Sequence, residues 1–316
     1  MRYISSVLLS TTARTTLPSR IGKRNRSMLN LSSSSSLSSL SPVLSYPSML
    51  KKNHVILYPS TIQRLFSTKI SPRSAAILER KTFWRELYHN GNDVFTLSDP
   101  NPNLMNYISK ILPNEYLPFQ TSSTIYTNEK FPKILVPGCG RDISMYWLAK
   151  QGIGVIGIDY IGEPLRIFSN DFGGLTPIEE EKQCTIYQIT QYPKIILIHG
   201  DILDLDVPNI YGSELDCVWD RGSLTSIANE DRSQYIQQLY KSLRPNGKIL
   251  LEYLCCNLPL DGALDETTVK NLLTNNGFTY ETISRSNVRN LYPDFNPPGL
   301  SYLDEIVIIA TKQEKK

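Results

Sequence analysis

"ILVPGCGRDISMYWLAKQGIGVIGIDY", residues Ile134–Tyr160, decides how the chain folds. An apolar run stops at Pro137 and opens into Gly138-Cys139-Gly140, as a buried strand does when it ends in a glycine turn. The spacing then predicts a helix over Asp142–Gln151, with Ile143, Tyr146 and Trp147 inward and Gly152 as its stop. "GVIGIDY" supplies a second strand. Strand, turn, helix and strand make a βαβ unit, which requires a parallel sheet and a right-handed crossover.

The same alternation continues downstream. Glu163–Phe172 reads as a helix, and residues 173–193 as an irregular insertion or a hairpin on the rim of the sheet. "KIILIHGDILDL" (194–205) and "LDCVWDRGSL" (215–224) are the third and fourth strands. Ser233–Leu243 is a helix carrying Tyr235, Ile236, Leu239 and Leu243; "RPNGK" then turns the chain into the strand "ILLEYL". "FTYETIS" and "DEIVIIATK" close the chain as strands. Upstream, "KTFWRELYHNGNDVF" (81–95) places Phe83, Trp84, Leu87 and Tyr88 at helical spacing, and Asn103–Leu112 is a second amphipathic helix. The expectation is one doubly wound, mostly parallel α/β domain over 79–316, with no internal repeat.

Residues 1–78 differ in kind. They hold eleven basic residues and no acidic one, with Ser32–Ser36 consecutive; the remainder holds 22 basic and 30 acidic residues, a formal charge of −8. The overall charge of +3 therefore belongs to this leader, and no nucleic-acid partner is expected. An Arg-rich, Ser-rich, acid-free leader has the composition of a mitochondrial transit peptide, and Arg64 in "QRLFSTK" sits where processing after Phe66 would need it. A low-complexity tail or a misplaced start codon has the same composition, in which case the cytoplasm is expected instead of the mitochondrial matrix. No run of about 18 apolar residues exists, so no membrane span is expected. Five cysteines without a CxxC pair argue for reduced thiols, and no metal site is expected.

In a doubly wound sheet the ligand lies beyond the carboxyl ends of the strands. Four such ends carry polar or small residues: Gly138–Arg141, Asp159-Tyr160, Gly200-Asp201 and Asp220-Arg221-Gly222. Asp159, 19 residues after Gly140, stands where an acid accepts the ribose hydroxyls of an adenosine, or else it is an ordinary turn aspartate. A dinucleotide fingerprint needs a third glycine at position 143, which is Ile, and Asp142 places a negative charge where phosphates would sit. There is no GK[ST] either, so a phosphate-cradling loop is excluded. S-adenosylmethionine fits what is left, being an adenosine without phosphate whose cationic sulfonium and ammonium tolerate carboxylates. Asp201 would then accept from the adenine amino group while Ile202 packs on the ring; Asp201 alternatively only caps its turn.

Together, "FWRELYHNGNDVF", "LVPGCGRD", "GIDYI", "GDILDL", "VWDRGSL" and "LRPNGKILL", in this order, resemble the thiopurine S-methyltransferase family and its thiol- and halide-methylating relatives. The resemblance implies a class I methyltransferase sheet of seven strands with the last antiparallel, an N-terminal helical lid, S-adenosylmethionine as donor and a small-molecule thiol as acceptor. By motif, Trp84 and the segment through Phe95 match the lid, with Phe95 facing the acceptor. Gly138, with Gly140 in the same turn, matches the glycine-loop contact, Asp159 and Tyr160 the ribose and adenine contacts, and Asp201 and Ile202 the adenine pocket. Arg221 matches the arginine beside the reaction centre, where it touches both donor and acceptor. Each has a plainer alternative: Trp84 and Phe95 as core aromatics, Arg221 as a rim partner of Asp220 or Asp216. Asp220 is a candidate proton acceptor or an orienting residue. The family's Gly-Pro-Pro-Phe-like segment is absent after "ILLEYL", and Arg285 and Arg289 give no clear second substrate arginine. A nucleotide-dependent oxidoreductase and a non-catalytic binding protein are the competing classes; the chain is expected to act as a monomer.

Overall fold

The computed structural model describes residues 73–90, 96–116, 131–181, 183–258, 263–292 and 297–314. Phe95 and positions 1–72 lie outside them, as do residues 259–262 in the segment after "ILLEYL".

Two helices precede the sheet: α1 (Arg73–His89) and α2 (Pro102–Ile111). α1 starts six residues inside the stretch read as leader, so a boundary at 78/79 would cut a helix. α2 begins where Asn101 accepts from Leu104 N at 2.7 Å and Pro102 occupies the first turn, and it buries Leu104, Ile108 and Ile111.

The expected βαβ unit follows as β1 (Lys133–Pro137), α3 (Ser144–Lys150) and β2 (Gly154–Asp159). β1 and β2 pair in parallel, and β2 is buried along its whole length. α3 is shorter than expected and rotated. Ser144, Met145 and Leu148 are buried, whereas Ile143, Tyr146 and Trp147 are half-buried. The glycine turn consumes residues 138–143, and Ser144 Oγ accepts from Asn101 N at 3.0 Å, which sets the helix's rotation.

α4 (Gly162–Phe172) ends at left-handed Gly173, φ +110°. The hairpin reading of 173–193 is the one observed: β3 (Leu175–Glu180) and β4 (Cys184–Ile189) run antiparallel and join β5 (Tyr192–Gly200) as a meander. α5 (Val207–Tyr211), β6 (Leu215–Arg221), the short α6 (Ser223–Ser226) and α7 (Arg232–Ser242) follow. β7 (Leu243–Cys256), α8 (Glu266–Asn275), β8 (Phe278–Asn287) and β9 (Leu303–Lys312) complete the chain.

The strand order is β3-β4-β5-β2-β1-β6-β7-β9-β8. From β5 to β8 it is a seven-stranded sheet in which the last strand, β9, runs antiparallel to both neighbours. The meander adds two strands beyond β5, so the sheet has nine rather than the expected seven. One face packs α7 and α8 over Val218, Ile249 and Leu251; the other packs α2, α3 and α4 over Ile134, Trp219 and Leu250. Because β5, β2, β1 and β6 are adjacent and parallel, the four polar strand ends lie side by side.

Candidate active site

The glycine turn at the end of β1 is a close backbone construction. Gly138 and Gly140 have φ of +53° and +50°, where a side chain is strained. A Cβ on Gly138 would strike Ser223 Oγ, which donates to Pro137 O at 2.6 Å; one on Gly140 would collide with the Tyr88 hydroxyl. Cys139 fills the space over Gly157, and burial pushes its thiol pKa up, so it packs rather than attacks.

Asp159 holds this turn in place. Its Oδ2 accepts from Gly140 N and its Oδ1 from Ile161 N, each at 2.8 Å. Burial raises its pKa to about 6 against the pull of those donors. The turn role and a ribose role are compatible, because each carboxylate oxygen has two lone pairs and one is used. Tyr160 next to it is half-buried.

Asp201 caps the turn after β5, its Oδ1 accepting from Leu203 N at 3.2 Å, while Ile202 is buried beneath. Its Oδ2 meets Lys81 Nζ at 3.0 Å, and the same ammonium lies 5.3 Å from the centre of the Tyr160 ring. Lys81 belongs to α1, which crosses all four strand ends. Arg80 donates to Ser226 O at 2.9 Å beyond β6, and Lys81 reaches Asp201 beyond β5. Tyr88 stands against Gly140 beyond β1, and His89 is 4.0 Å from Glu163 beyond β2. Trp84, edge-on to Phe83 with centroids 5.6 Å apart, rides half-buried on this helix. The lid expected from Trp84 is thus a strap anchored at every strand end that builds the crevice.

At the end of β6, Asp220 is not placed as a proton acceptor. It is fully buried; Oδ1 accepts from Ser223 N at 2.8 Å and Leu224 N at 3.3 Å, and Oδ2 from the Tyr235 hydroxyl at 2.7 Å. Burial pushes its pKa to about 6. It orients the turn through Gly222, φ +82°. Arg221 pairs with neither Asp220 nor Asp216. Its partner is Asp142, with NH1 and Oδ2 3.6 Å apart, whereas Asp216 holds Arg244 at 3.0 Å. Asp142 is fixed in turn by Ser144 N, which donates to its Oδ1 at 2.8 Å.

Beside Arg221, in register on β7, lies Glu252, 2% exposed. Its Oε1 accepts from Trp219 Nε1 at 2.7 Å, and its Oε2 from Asn101 Nδ2 at 3.1 Å and Asn103 Nδ2 at 2.9 Å. Asn103 Nδ2 also reaches Glu305 Oε2 at 3.0 Å. The sequence pattern marks Tyr88 only as a helical position and leaves out Glu252, although a lone acid in "ILLEYL" is a signal, and Lys81, which shares a helix face with Trp84 and Tyr88 at i, i+3 and i+7. Arg285 is exposed and bound to Asp304 and Glu266 at 2.8 and 3.3 Å. Among the described residues no group of three or more His, Cys, Asp or Glu could hold a metal ion, and no helix is long and apolar enough to cross a membrane.

A family model described as thiopurine S-methyltransferase matches residues 79–313, most of the chain. The chain belongs to the thiopurine S-methyltransferase family. It is accordingly a class I methyltransferase that uses S-adenosylmethionine, and the crevice under α1 fits that donor: a glycine turn with no room for side chains, an acid at the end of β2 and no phosphate cradle. A thiopurine S-methyltransferase of Legionella pneumophila (strain Corby) is 30% identical over 181 residues, 55% of this chain and 70% of that protein. One from Shewanella baltica is 28% identical over 239 residues, 73% of this chain and 98% of that protein. The crystal structure of Burkholderia thailandensis 1,6-didemethyltoxoflavin-N1-methyltransferase, with its ligand and S-adenosylhomocysteine bound, shares the fold at a TM-score of 0.50. It is 17% identical, over 78% of this chain and 93% of that one.

Proposed function

We propose that the protein methylates the sulfur of a small thiol, an aromatic or heterocyclic thiol resembling a thiopurine. The carrying observation is the position of Arg221, which ends β6 and is joined by ion pair to the turn after β1, so its guanidinium lies between the donor's strand end and the neighbouring crevice. Methyl transfer from a sulfonium is an in-line displacement, and its rate depends on holding the two reacting atoms roughly 3–3.5 Å apart in line. In this reading the acceptor loses its S–H proton to solvent and Arg221 holds the thiolate. A sulfur lone pair forms the new carbon–sulfur bond as the methyl–sulfonium bond breaks, giving a thioether and S-adenosylhomocysteine. Gly138 and Gly140, Asp159 and Tyr160, and Asp201 and Ile202 bind the donor, and α1 with Trp84 excludes water. No strong base is needed for an acidic thiol, which agrees with the histidines: His89 faces Glu163, and His199 packs against Gly162.

A halide or small-thiol methyltransferase is the second reading, favoured by an acceptor end that offers one guanidinium and no second arginine from Arg285. Mass spectrometry of products from a thiopurine, thiophenol, hydrogen sulfide and iodide separates the two. Methyl transfer to the aromatic thiols is expected; transfer to iodide alone establishes the second reading, and transfer to none removes both. We further propose that the leader directs the protein to the mitochondrial matrix and that it works as a monomer. Imaging a fusion of residues 1–74 tests the first, a diffuse cytosolic signal refuting it. Light scattering of the purified protein tests the second.

A further inference from the structure

The acceptor end of the crevice is crowded with acid. Arg221 faces Asp142 at 3.6 Å, and the two side chains are only 23% and 12% exposed. Glu252 is Arg221's register partner across β6 and β7; burial pushes its pKa up, against the pull of the Asn103 and Trp219 hydrogen bonds and of the Arg221 charge. Glu305 shares the Asn103 amide with Glu252. Asp142 is paired with this guanidinium, Glu252 lies beside it on the next strand, and Glu305 is joined to Glu252 through Asn103. Two of the lid's cations are held elsewhere: Arg80 is bound at Ser226 and Lys81 at Asp201.

Arg221 is thus already paired with a carboxylate before an acceptor arrives. A thiolate has a claim on it as a single anion. A second anionic group on the acceptor would meet the Asp142 carboxylate beside Arg221, and in a half-buried site such like-charge contact costs more than it does in water. We propose that Asp142 is a specificity-determining residue that restricts the enzyme to thiol acceptors without a carboxylate, sulfonate or phosphate. Asp142 suits that task because the capping bond from Ser144 N keeps its other oxygen aimed at Arg221. Specificity by an unfavourable charge requires only that the wrong substrate be penalised, not that the right one be gripped. This inference rests on the reading of Arg221 as the residue that holds the acceptor.

The test compares 4-mercaptobenzamide with 4-mercaptobenzoate, two thiols of the same shape that differ by one charge. Wild type should show kcat/KM for the amide at least about tenfold above that for the acid, the factor that about 1.4 kcal/mol gives. Asp142→Asn keeps an oxygen for Ser144 N and removes the charge; it should shrink that ratio by about tenfold, chiefly by lowering KM for the acid. Both acceptors meet the same donor-loaded enzyme, so any change in donor binding cancels in the ratio. Glu305→Gln should move the ratio in the same direction. A wild-type preference for the acid, or a ratio untouched by Asp142→Asn, overturns the proposal. Calorimetric binding of the two thiols to the S-adenosylhomocysteine complex separates this from failure of the thiol reading. Tighter binding of the amide without turnover keeps the charge selection and removes S-methylation, whereas binding of neither removes both.

Discussion

Replacing Asp220 by Asn tests at once what this carboxylate does for stability and what it does for chemistry. Asp220 is fully buried, and burial lifts its pKa from 3.8 to about 6. A raised carboxyl pKa means that the folded protein binds the proton more tightly than the unfolded chain does. Stability from this group is therefore fully present below pH 3.8 and is lost as pH rises through 6. A shift of about two units at ~1.4 kcal/mol each amounts to roughly 3 kcal/mol at neutral pH, as an order of magnitude. Asn retains an oxygen for Ser223 N and Leu224 N, and its amide can donate to the Tyr235 hydroxyl, so the turn survives without the buried charge. Urea unfolding of wild type and Asp220→Asn between pH 4 and 7.5 should show the variant gaining on wild type by about 2–3 kcal/mol across that window. A flat difference refutes the burial argument. The same variant separates a turn-orienting residue from a base: loss of a general base costs ~10²–10⁴ in rate, whereas kcat here should stay within about tenfold of wild type. A fall of a hundredfold with the fold intact would restore Asp220 as the proton acceptor.

Three further outcomes follow from the same geometry. Asp159→Ala removes the acceptor for Gly140 N and Ile161 N, and S-adenosylhomocysteine should bind at least about tenfold more weakly by calorimetry, since each hydrogen bond to a charged group is worth ~1.5–3 kcal/mol; equal affinity sinks the ribose assignment. Lys81→Met breaks a partly exposed ion pair to Asp201, worth at most ~1 kcal/mol, so donor affinity should fall two- to fivefold, roughly, and lose part of its salt dependence. A tighter complex would mean instead that Lys81 competes with adenine for Asp201. Gly140→Ala forces a left-handed alanine against the Tyr88 hydroxyl and should cost about 1–3 kcal/mol in urea unfolding; adding Tyr88→Ala should relieve only the collision, and an unchanged midpoint in the single variant refutes the turn's conformation.

The alternation of strands and helices was legible because a buried parallel strand is a short, β-branched apolar run bounded by turn residues, and here Gly or Asp bounds the runs of β1, β2, β5 and β6. "GVIGID" is buried at every residue. The face of α3 was not legible, because periodicity measures spacing and not rotation. Met145 rather than Tyr146 points inward since Gly157, bare of a side chain, leaves space that the Met145 sulfur fills. The two extra strands were open for a similar reason. "LTPIEE" has a proline and three exposed or half-exposed polar residues, a composition that an edge strand and an irregular loop share.

Strand ends are legible in order, and so the residues of the crevice could be named from the glycine turn, Asp159, Asp201 and Arg221. Their partners could not, because pairing across a sheet depends on strand order and register. Arg221 was expected to pair, if at all, with an acid near it in sequence. It pairs with Asp142, 79 positions away, because β6 lies next to β1 and the two strands end at the same level. Asp142 had been noticed only for what it excludes, a phosphate at the start of the helix. Its place against Arg221 gives it a second consequence with the same sign. A loop that repels the phosphates of a dinucleotide also sets the charge that an acceptor can carry, so donor choice and acceptor choice depend on one carboxylate.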